Sequence, residues 1–260
     1  MTTRLIVTAF LVTTASSALA QLACGDVVGK GQKVTLTADV GPCDGGGQDA
    51  AIFVDGGTLD LGGRTVTCAD LDTSGDTAQG IGLLGKKSKV TNGSVVGCQN
   101  GIFLAGDGKH LVQGVTVQGS LDDGVDSNED AHKNKIYDST FVQSGSDGIA
   151  IYSDKNKIAR NTLSQNLGDG IDVDGGSDKN KLIENTATQN ESSGIEVGGS
   201  KNKIVGCTAN DNADAGFDLG GSKNLVRGGS AQGNAGYDVT DCTGNKVKQL
   251  SFTTASPDCQ

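Results

Sequence analysis

The stretch Gly170-Ile171-Asp172-Val173 decides the fold, because its pattern recurs along most of the chain. A glycine followed by a bulky apolar residue, and usually by a second apolar residue two places on, appears eight times. The copies begin at Gly80, Gly101, Gly124, Gly148, Gly170, Gly194, Gly216 and Gly236. They lie 20 to 24 residues apart. A period this short over so many copies predicts a solenoid, in which residues one period apart are neighbours.

A second motif lies between the glycines. Lys155-Asn156-Lys157-Ile158 recurs with little change from Lys133, Lys179 and Lys201, and in degenerate form from Lys223 and Gly244. A third run follows in each coil, with a small polar residue before an apolar one, as in Thr162-Leu163. Each coil therefore holds three short runs of alternating polarity, which predicts strands rather than helices. We interpret Gly and Asn at the breaks as residues that supply positive φ. The lysines and asparagines are interpreted as structural, with Asn stacked as a ladder at a corner and Lys as solvated flanking residues.

Stacking the coils aligns like residues in three apolar lanes. The first lane is Ile81, Ile102, Val125, Ile149, Ile171, Ile195, Phe217 and Tyr237. The second lane is Leu83, Leu104, Ser127, Ile151, Val173, Val197, Leu219 and Val239. The third lane is Val90, Val112, Ile136, Ile158, Leu182, Ile204, Val226 and Val247. Three lanes from three strands predict a triangular core, with strands that pair in parallel about 4.8 Å apart from coil to coil.

With these motifs the chain resembles the right-handed parallel β-helix repeat family, which has the pectin-lyase-like fold, over roughly residues 24 to 250. The resemblance implies an all-β, single-domain right-handed parallel β-helix with three short strands per coil. It says little about function, because the fold serves lyases, hydrolases, epimerases, adhesins and inert surface proteins.

The N-terminus reads as an export signal. Residues 1–20 combine Arg4, an apolar stretch and the small-residue site Ala18-Leu19-Ala20, which predicts a signal peptide and a secreted, extracellular or periplasmic protein. Residues 21–260 then form one β-helix domain, with an N-terminal cap over residues 24–43.

The cysteines fit an exported protein, in which disulfides are stable. We predict that Cys24 pairs with Cys43 at the cap and that Cys242 pairs with Cys259 at the C-terminal end. Cys68 and Cys98 end similar runs about one coil apart. Cys207 is left over, at a corner position that Asn161 and Asn185 fill in earlier coils.

The charge balance excludes several partners. The net charge is −10, which argues against nucleic acid and anionic membrane surfaces. No stretch after the signal approaches the length of a membrane span. We expect a monomer whose partner is an extracellular polysaccharide, although the chain has no Trp and only 3% aromatic residues, which leaves few groups for stacking on sugars.

Acidic residues recur at the outward position two places after each repeat glycine. Down the stack this column reads Gly82, Phe103, Asp126, Ala150, Asp172, Glu196, Asp218 and Asp238. Asp123, Asp147 and Asp169 precede three of the glycines. Like charges one coil apart raise carboxylate pKa values or recruit a cation. The candidate cation is Ca²⁺, with Asp123, Asp126, Asp169 and Asp172 as candidate ligands; the alternative is a solvated acidic face.

One coil breaks the repeat. Residues 121–132 place Ser127 where an aliphatic residue belongs and carry two extra residues. The segment resembles the catalytic coil of alginate C5-epimerases, which reads Tyr-Gly-Phe-Asp-Pro-His before a second coil with Asp-Gly-Phe. Asp126 falls on the first aspartate of that motif and Asp147 on the second. The family's tyrosine, histidine and a further aspartate fall on Asp123, Asn128 and Tyr152.

The resemblance therefore implies Asp126 and Asp147 as candidate catalytic residues, with Tyr152 or His132 moving the C5 proton of a uronate from shifted positions. The Asn-Thr-Asp, Gly-His-Gly and Arg-Ile-Lys motifs of polygalacturonases are absent. Two hypotheses stay open: an epimerase or lyase acting on polysaccharide, and a non-catalytic structural or adhesion protein of the envelope or the extracellular space.

Overall fold

The computed structural model describes residues 17–44, 50–69 and 79–259. The described residues form 29 strands and one 3₁₀-helical turn, Pro257–Cys259, and contain no α-helix. The strands are β1 (Ser17–Ala20), β2 (Asp26–Val28), β3 (Lys33–Leu36), β4 (Val40–Cys43), β5 (Ala50–Asp55), β6 (Thr58–Asp60), β7 (Thr65–Cys68), β8 (Gln79–Leu84), β9 (Lys89–Val96), β10 (Ile102–Leu104), β11 (Leu111–Gln118), β12 (Val125–Ser127), β13 (Lys135–Tyr137), β14 (Thr140–Val142), β15 (Ile149–Ile151), β16 (Lys157–Ala159), β17 (Thr162–Ser164), β18 (Ile171–Val173), β19 (Lys181–Ile183), β20 (Thr186–Thr188), β21 (Ile195–Val197), β22 (Lys203–Val205), β23 (Thr208–Asn210), β24 (Phe217–Asp218), β25 (Leu225–Arg227), β26 (Ser230–Gln232), β27 (Val239–Thr240), β28 (Lys246–Lys248) and β29 (Ser251–Phe252).

The strands belong to two parallel sheets that wrap around one core. Sheet 1 contains ten strands, one per coil, in the order β2-β5-β8-β10-β12-β15-β18-β21-β24-β27. Sheet 2 contains the other nineteen and covers the two remaining faces. In the later coils each of those faces has its own strand, whereas β9 and β11 run through both. No helix in the described part of the chain is long and apolar enough to cross a membrane.

The apolar lanes of the sequence become the core, but the first and second lanes both lie on sheet 1, and the third face is lined by a lane that was not predicted, which includes Phe141, Leu163 and Ala187. Ile149 pairs with Val125 on one side and Ile171 on the other, and Ile136, Ile158 and Leu182 stack in the same way on sheet 2. These side chains are fully buried. The predicted register is confirmed for these lanes, because burial leaves a strand with period-2 polarity only one way to face.

The last copies of the first and second lanes were predicted wrongly, because Val239, predicted for the second lane, takes the first-lane position. Phe217 pairs with Val239 and not with Tyr237, which is 47% exposed. Asp238 consequently leaves the outward column and becomes buried. Its carboxylate accepts the backbone N–H groups of Thr253 and Thr254 at 2.8 and 2.9 Å, and these bonds fix the register of the last coil.

Asparagine ladders hold all three corners of the triangle. At each step the side-chain Oδ1 accepts the backbone N–H of the residue one coil earlier, as Asn180 does from Asn156 at 2.7 Å. The first ladder is Asn134, Asn156, Asn180, Asn202, Asn224 and Asn245. The second is Asn161 and Asn185, and the third is Asn166, Asn190, Asn212 and Asn234. The ladders pair backbone groups that the turns leave without a sheet partner.

The repeat glycines are needed for space rather than for φ, which corrects the expectation from sequence. A Cβ on Gly148 would lie 2.6 Å from the carbonyl oxygen of Gly170, and one on Gly170 would lie 2.5 Å from that of Gly194. None of these glycines has positive φ; the residue just before each ladder asparagine has it instead, as Lys179 does at 61°. Glycine is thus selected by the close stacking of backbone on backbone.

The predicted disulfides Cys24–Cys43 and Cys242–Cys259 are present, and a third joins Cys68 to Cys98. Cys207 is free and buried. It lies one coil after Asn185 in the second ladder, as its sequence position predicted, and Asn185 Nδ2 lies 3.9 Å from its Sγ.

The N-terminal residues continue the stack. The segment predicted as a cap, residues 24–43, supplies β2, β3 and β4 and so forms a coil of its own. The predicted signal peptide lies outside the described residues apart from β1, which pairs with β3. Cleavage after Ala20 would remove β1 and leave that edge of β3 unpaired.

Candidate functional site

Outward-facing carboxylates form a column on sheet 1. Asp172 pairs with Glu196, and Glu196 pairs with Asp218, while Asp126 lies two coils before Asp172 with Ala150 between them. We call Asp126, Asp147, Asp169, Asp172, Glu196 and Asp218 the acidic strip. Neighbouring coils are about 4.8 Å apart, so these groups are close enough to repel one another.

Three aspartates at the corner before sheet 1 are tied into the backbone. Asp123 Oδ1 accepts the N–H of Asp147 at 2.9 Å, Asp147 Oδ1 accepts that of Asp169 at 2.6 Å, and Asp169 Oδ1 accepts that of Ser193 at 2.6 Å. Asp123 and Asp169 are buried. These carboxylates therefore help to stack the coils, and each has one oxygen committed to that role.

Burial raises the pKa values of five carboxyl groups of the strip, and the neighbouring carboxylates raise them further. The pKa of Asp126 rises to about 6, that of Asp147 to about 7 and that of Asp172 to about 8. The pKa of Glu196 rises to about 7 and that of Asp218 to about 6, for the same reasons. These five groups therefore titrate around neutral pH, where carboxylates can both accept and donate protons.

A pocket of about 440 Å³ opens over the irregular coil and is lined by Phe103, Asp126, Asn128, Glu129 and Tyr152. The sequence explains the shape of this pocket. Ala150 is small at the outward position after Asp126, and the longer turn after β12 contributes Asn128 and Glu129 as a wall. The sequence pattern had not marked Phe103, Asn128 or Glu129 as site residues, although Phe103 occupies the outward column just before Asp126.

Ser127, the polar residue in an apolar lane, supports this turn from inside. It is fully buried, and its Oγ lies 2.8 Å from Ser153 Oγ. Ser153 Oγ in turn donates to the carbonyl oxygen of Ala131 at 2.8 Å. The two hydroxyl groups thus satisfy each other and anchor the long turn to the core, which explains why the repeat breaks here.

Tyr152 and His132 are placed differently. Tyr152 lines the pocket and is 39% exposed, and burial together with the charges of Asp123, Asp172, Asp126 and Asp147 raises its pKa to about 12. His132 is exposed on the turn before β13, where its Nδ1 accepts the backbone N–H of Asp154 at 3.0 Å. The structure thus brings Tyr152 to Asp126 in the pocket, while His132 is not among the lining residues.

Carboxylates further along the strip can hold a cation. One oxygen each of Asp169, Asp172 and Glu196 lie within 4.8 Å of one another. Ca²⁺ binds oxygen ligands at 2.3 to 2.6 Å, so two oxygens on one ion can be this far apart. Of the four predicted ligands, Asp169 and Asp172 belong to this group and Asp123 and Asp126 do not. Glu196 is a further candidate ligand that the sequence reasoning did not name, although its place beside Asp172 in the outward column was the available signal.

Comparison with known proteins gives a family and several structural neighbours. Residues 79–234 match the family model described as right handed beta helix region. No curated protein matches the sequence.

Solved structures share the fold at low identity. The A-module of the Azotobacter vinelandii mannuronan C-5 epimerase AlgE4 aligns over 91% of this chain and 68% of its own, with a TM-score of 0.61 and 16% identity. A double mutant of the periplasmic alginate epimerase AlgG covers 94% and 79%, with a TM-score of 0.65 and 12% identity. The Dettilon tailspike protein covers 90% and 61%, with a TM-score of 0.56 and 14% identity.

At these identities the likeness concerns the fold alone, and the neighbours include a tailspike protein beside two epimerases. The family match covers more than half of the chain and agrees with the two parallel sheets and the three corner ladders. This chain belongs to the right-handed β-helix family.

Proposed function

We propose that this protein is exported, binds a uronate-containing polysaccharide along the acidic strip, and moves the C5 proton of a sugar unit as an epimerase or a lyase does. One observation carries the proposal: the pocket places Asp126, whose pKa is about 6, together with Tyr152, whose pKa is about 12. At neutral pH the carboxylate is mostly ionised and the phenol is protonated. A base and an acid are therefore present in one pocket.

The chemistry follows from the acidity of the C5–H bond, which lies next to the sugar carboxylate. Asp126 accepts the C5 proton, and the electron pair spreads into the carboxylate of the sugar. If Tyr152 donates a proton to C5 from the opposite face, the product is the C5 epimer. If the electron pair instead expels the oxygen on C4 and that oxygen takes the proton, a double bond forms between C4 and C5 and the chain is cleaved.

A polyanion on an acidic strip needs its charge offset. The donor set of Asp169, Asp172 and Glu196 consists of oxygen atoms, which suits Ca²⁺. Burial and the closeness of Asp169 raise the pKa of Glu196, so that a cation bound between the two carboxylates would compete with a proton. Bound Ca²⁺ would supply positive charge beside the pocket and offset the repulsion between the strip and the sugar carboxylates.

Asp126→Asn is expected to lower kcat/KM on alginate or pectin by about 10²- to 10⁴-fold, because it removes the base while keeping the shape. Tyr152→Phe is expected to lower it in the same range. Product formation is followed by absorbance of the unsaturated sugar for a lyase and by NMR of the C5 configuration for an epimerase. Asp211→Asn, at an exposed carboxylate that is not part of the strip, is the matched control. Equal activity of Asp126→Asn and the control would contradict the assignment.

Ca²⁺ is expected to raise the melting temperature, since a ligand that binds only the folded state at 100 times its Kd stabilises it by about 2.7 kcal/mol. Glu196→Gln removes one ligand and should lose most of the increase. Glu184→Gln, an exposed residue on another corner, should retain it. A Ca²⁺ response of the same size in both variants would place the ion elsewhere.

A non-catalytic structural or adhesion role is the second candidate. It is favoured by the absence of any basic side chain among the residues that line the described pocket, because a uronate carboxylate gains no direct ion pair there. Lack of activity on uronic and neutral polysaccharides, with no response to Ca²⁺, would select this role.

A further inference from the structure

The strongest surface feature outside the acidic strip is a pair of lysine rows at the first corner. In each of seven successive coils, one lysine precedes the position of the first ladder. This first row is Lys87, Lys109, Lys133, Lys155, Lys179, Lys201 and Lys223. A second row, two residues further along, is Lys89, Lys135, Lys157, Lys181, Lys203 and Lys246, with Leu111 and Leu225 as interruptions.

The first row is fully solvent-facing. All seven side chains are exposed. Neighbouring coils are about 4.8 Å apart, so seven lysines extend over about 29 Å. Of the seven lysines of this row, only Lys155 and Lys201 have an ion-pair partner within 4.0 Å among the described residues; each lies 3.8 Å from an aspartate, Asp154 and Asp178 respectively. Most of the row therefore carries charge that no neighbouring carboxylate pairs with, in a protein whose net charge is −10.

The backbone does not demand lysine at these positions. Every first-row lysine has φ between 60° and 63°, a region in which a side chain is disfavoured and glycine or asparagine is preferred. In coils nearer the two ends the same corner position is glycine, at Gly31, Gly56 and Gly244. The fold thus accepts glycine here, and seven lysines are kept against the conformational preference of the backbone.

The other two corners provide an internal comparison. They have the same left-handed conformation, but their residues vary widely. The second corner has Asn92, Gly114, Asp138, Arg160, Glu184, Gly206, Gly228 and Gln249, and the third has Gly97, Gly119, Gln143, Gln165, Gln189, Asp211 and Gly233. Three corners with one geometric requirement differ in composition, and only the first is uniformly cationic. Stacking of the coils therefore does not account for the lysines.

We propose that the two lysine rows form a binding surface for a linear anionic polysaccharide. This surface is distinct from the pocket over Asp126 and begins at the corner that follows the sheet 1 strand of each coil. A row of point charges with a constant short spacing suits an extended chain with one anionic group on each unit. The rows contain no arginine, which is the residue better matched to phosphate. They also lack the stacking aromatics with which proteins hold single-stranded nucleic acid. Carboxylate or sulfate groups on sugars are therefore the anions that the surface fits.

The test compares two triple variants that lose the same charge. Lys133→Asn, Lys155→Asn and Lys179→Asn together interrupt the first row, and asparagine suits the left-handed corner. Arg64→Gln, Arg227→Gln and Lys248→Gln remove three exposed charges outside the rows. Binding is measured in EDTA at low and at physiological salt, against immobilised polygalacturonate, dextran sulfate, neutral dextran and single-stranded DNA. Melting temperatures check the fold, and the row variant should melt no lower than the wild type.

We expect the wild type to bind polygalacturonate or dextran sulfate, and the tighter of the two identifies the anionic group. The row variant should bind at least tenfold more weakly, the control variant should stay within about twofold, and salt should weaken binding by screening. The row variant should keep the wild-type response of the melting temperature to Ca²⁺, which separates the rows from the acidic strip. Equal losses in the two triple variants, tighter binding to DNA than to either anionic polysaccharide, or no binding of either one at low salt would overturn the proposal.

Discussion

Replacing Ile171 with aspartate is expected to lower the free energy of unfolding by about 4 kcal/mol or more, since it buries an unpaired carboxylate in an apolar lane. Ile171 is fully buried and lies between Ile149 and Ile195 on sheet 1. In a solenoid each coil is stabilised by its two neighbours, so a defect in this central coil weakens both interfaces. Urea unfolding followed by circular dichroism measures the change.

Two variants control for this prediction. Ile171→Val removes one methylene from the same site and should cost only about 0.5 to 1.5 kcal/mol. Thr188→Asp adds a carboxylate on the outward side of β20 in the same coil, where the side chain is partly exposed, and should change stability little. An unfolding midpoint of Ile171→Asp equal to that of the wild type would show that Ile171 does not face the core.

Most of the fold could be predicted because its two strongest signals are periodic. Alternation along each strand decides which side chains face inward, and the 20- to 24-residue period decides which coils are neighbours. The error at Tyr237 shows the limit. Tyr237 and Val239 have the same parity, so alternation cannot separate them, and the residue that selects Val239 is Asp238, through its bonds to Thr253 and Thr254 far along the chain.

The reason for each repeat glycine was also beyond the sequence. A glycine is required either where φ is positive or where another backbone approaches too closely for a Cβ. Both requirements select Gly, so the sequence alone cannot tell one from the other. Only the stacked coils show that Gly170 faces a carbonyl oxygen, and that Lys179 carries the left-handed φ.

The column of outward carboxylates could be predicted from the sequence, but which of these side chains lie close together in space could not. Outward parity alone selects Asp126 and Asp172. It does not show that Asp169 lies beside Asp172 and Glu196, because that contact joins a corner to a strand face. Nor does it separate Tyr152 from His132, since both are near Asp126 in sequence and only Tyr152 lines the pocket.

The acidic strip is expected to make the protein less stable at pH 8 than at pH 5. A carboxyl group whose pKa is higher in the folded than in the unfolded protein favours folding at low pH, and this contribution is lost as the pH rises through the folded pKa. For Asp172 the window runs from an ordinary value of 3.8 to about 8, and Asp147 and Glu196 act in the same direction up to about 7. Asp138, Asp238 and Asp258 have lowered pKa values, so their contribution changes only below this range.

Asp172→Asn isolates the effect, because asparagine keeps the shape and cannot ionise. In EDTA at pH 8 the variant should be more stable than the wild type by about 1 to 3 kcal/mol, and the gain should shrink towards pH 5. Buried His110, whose pKa is lowered by burial, favours folding at the higher pH in both proteins, so it cancels in the difference between them. Urea unfolding at pH 5, 6.5 and 8 gives the three differences, and Asp211→Asn at the exposed third corner is the matched control. If the wild type has a larger free energy of unfolding than Asp172→Asn at pH 8, the Asp172 carboxylate is stabilised by a partner and not repelled by its neighbours.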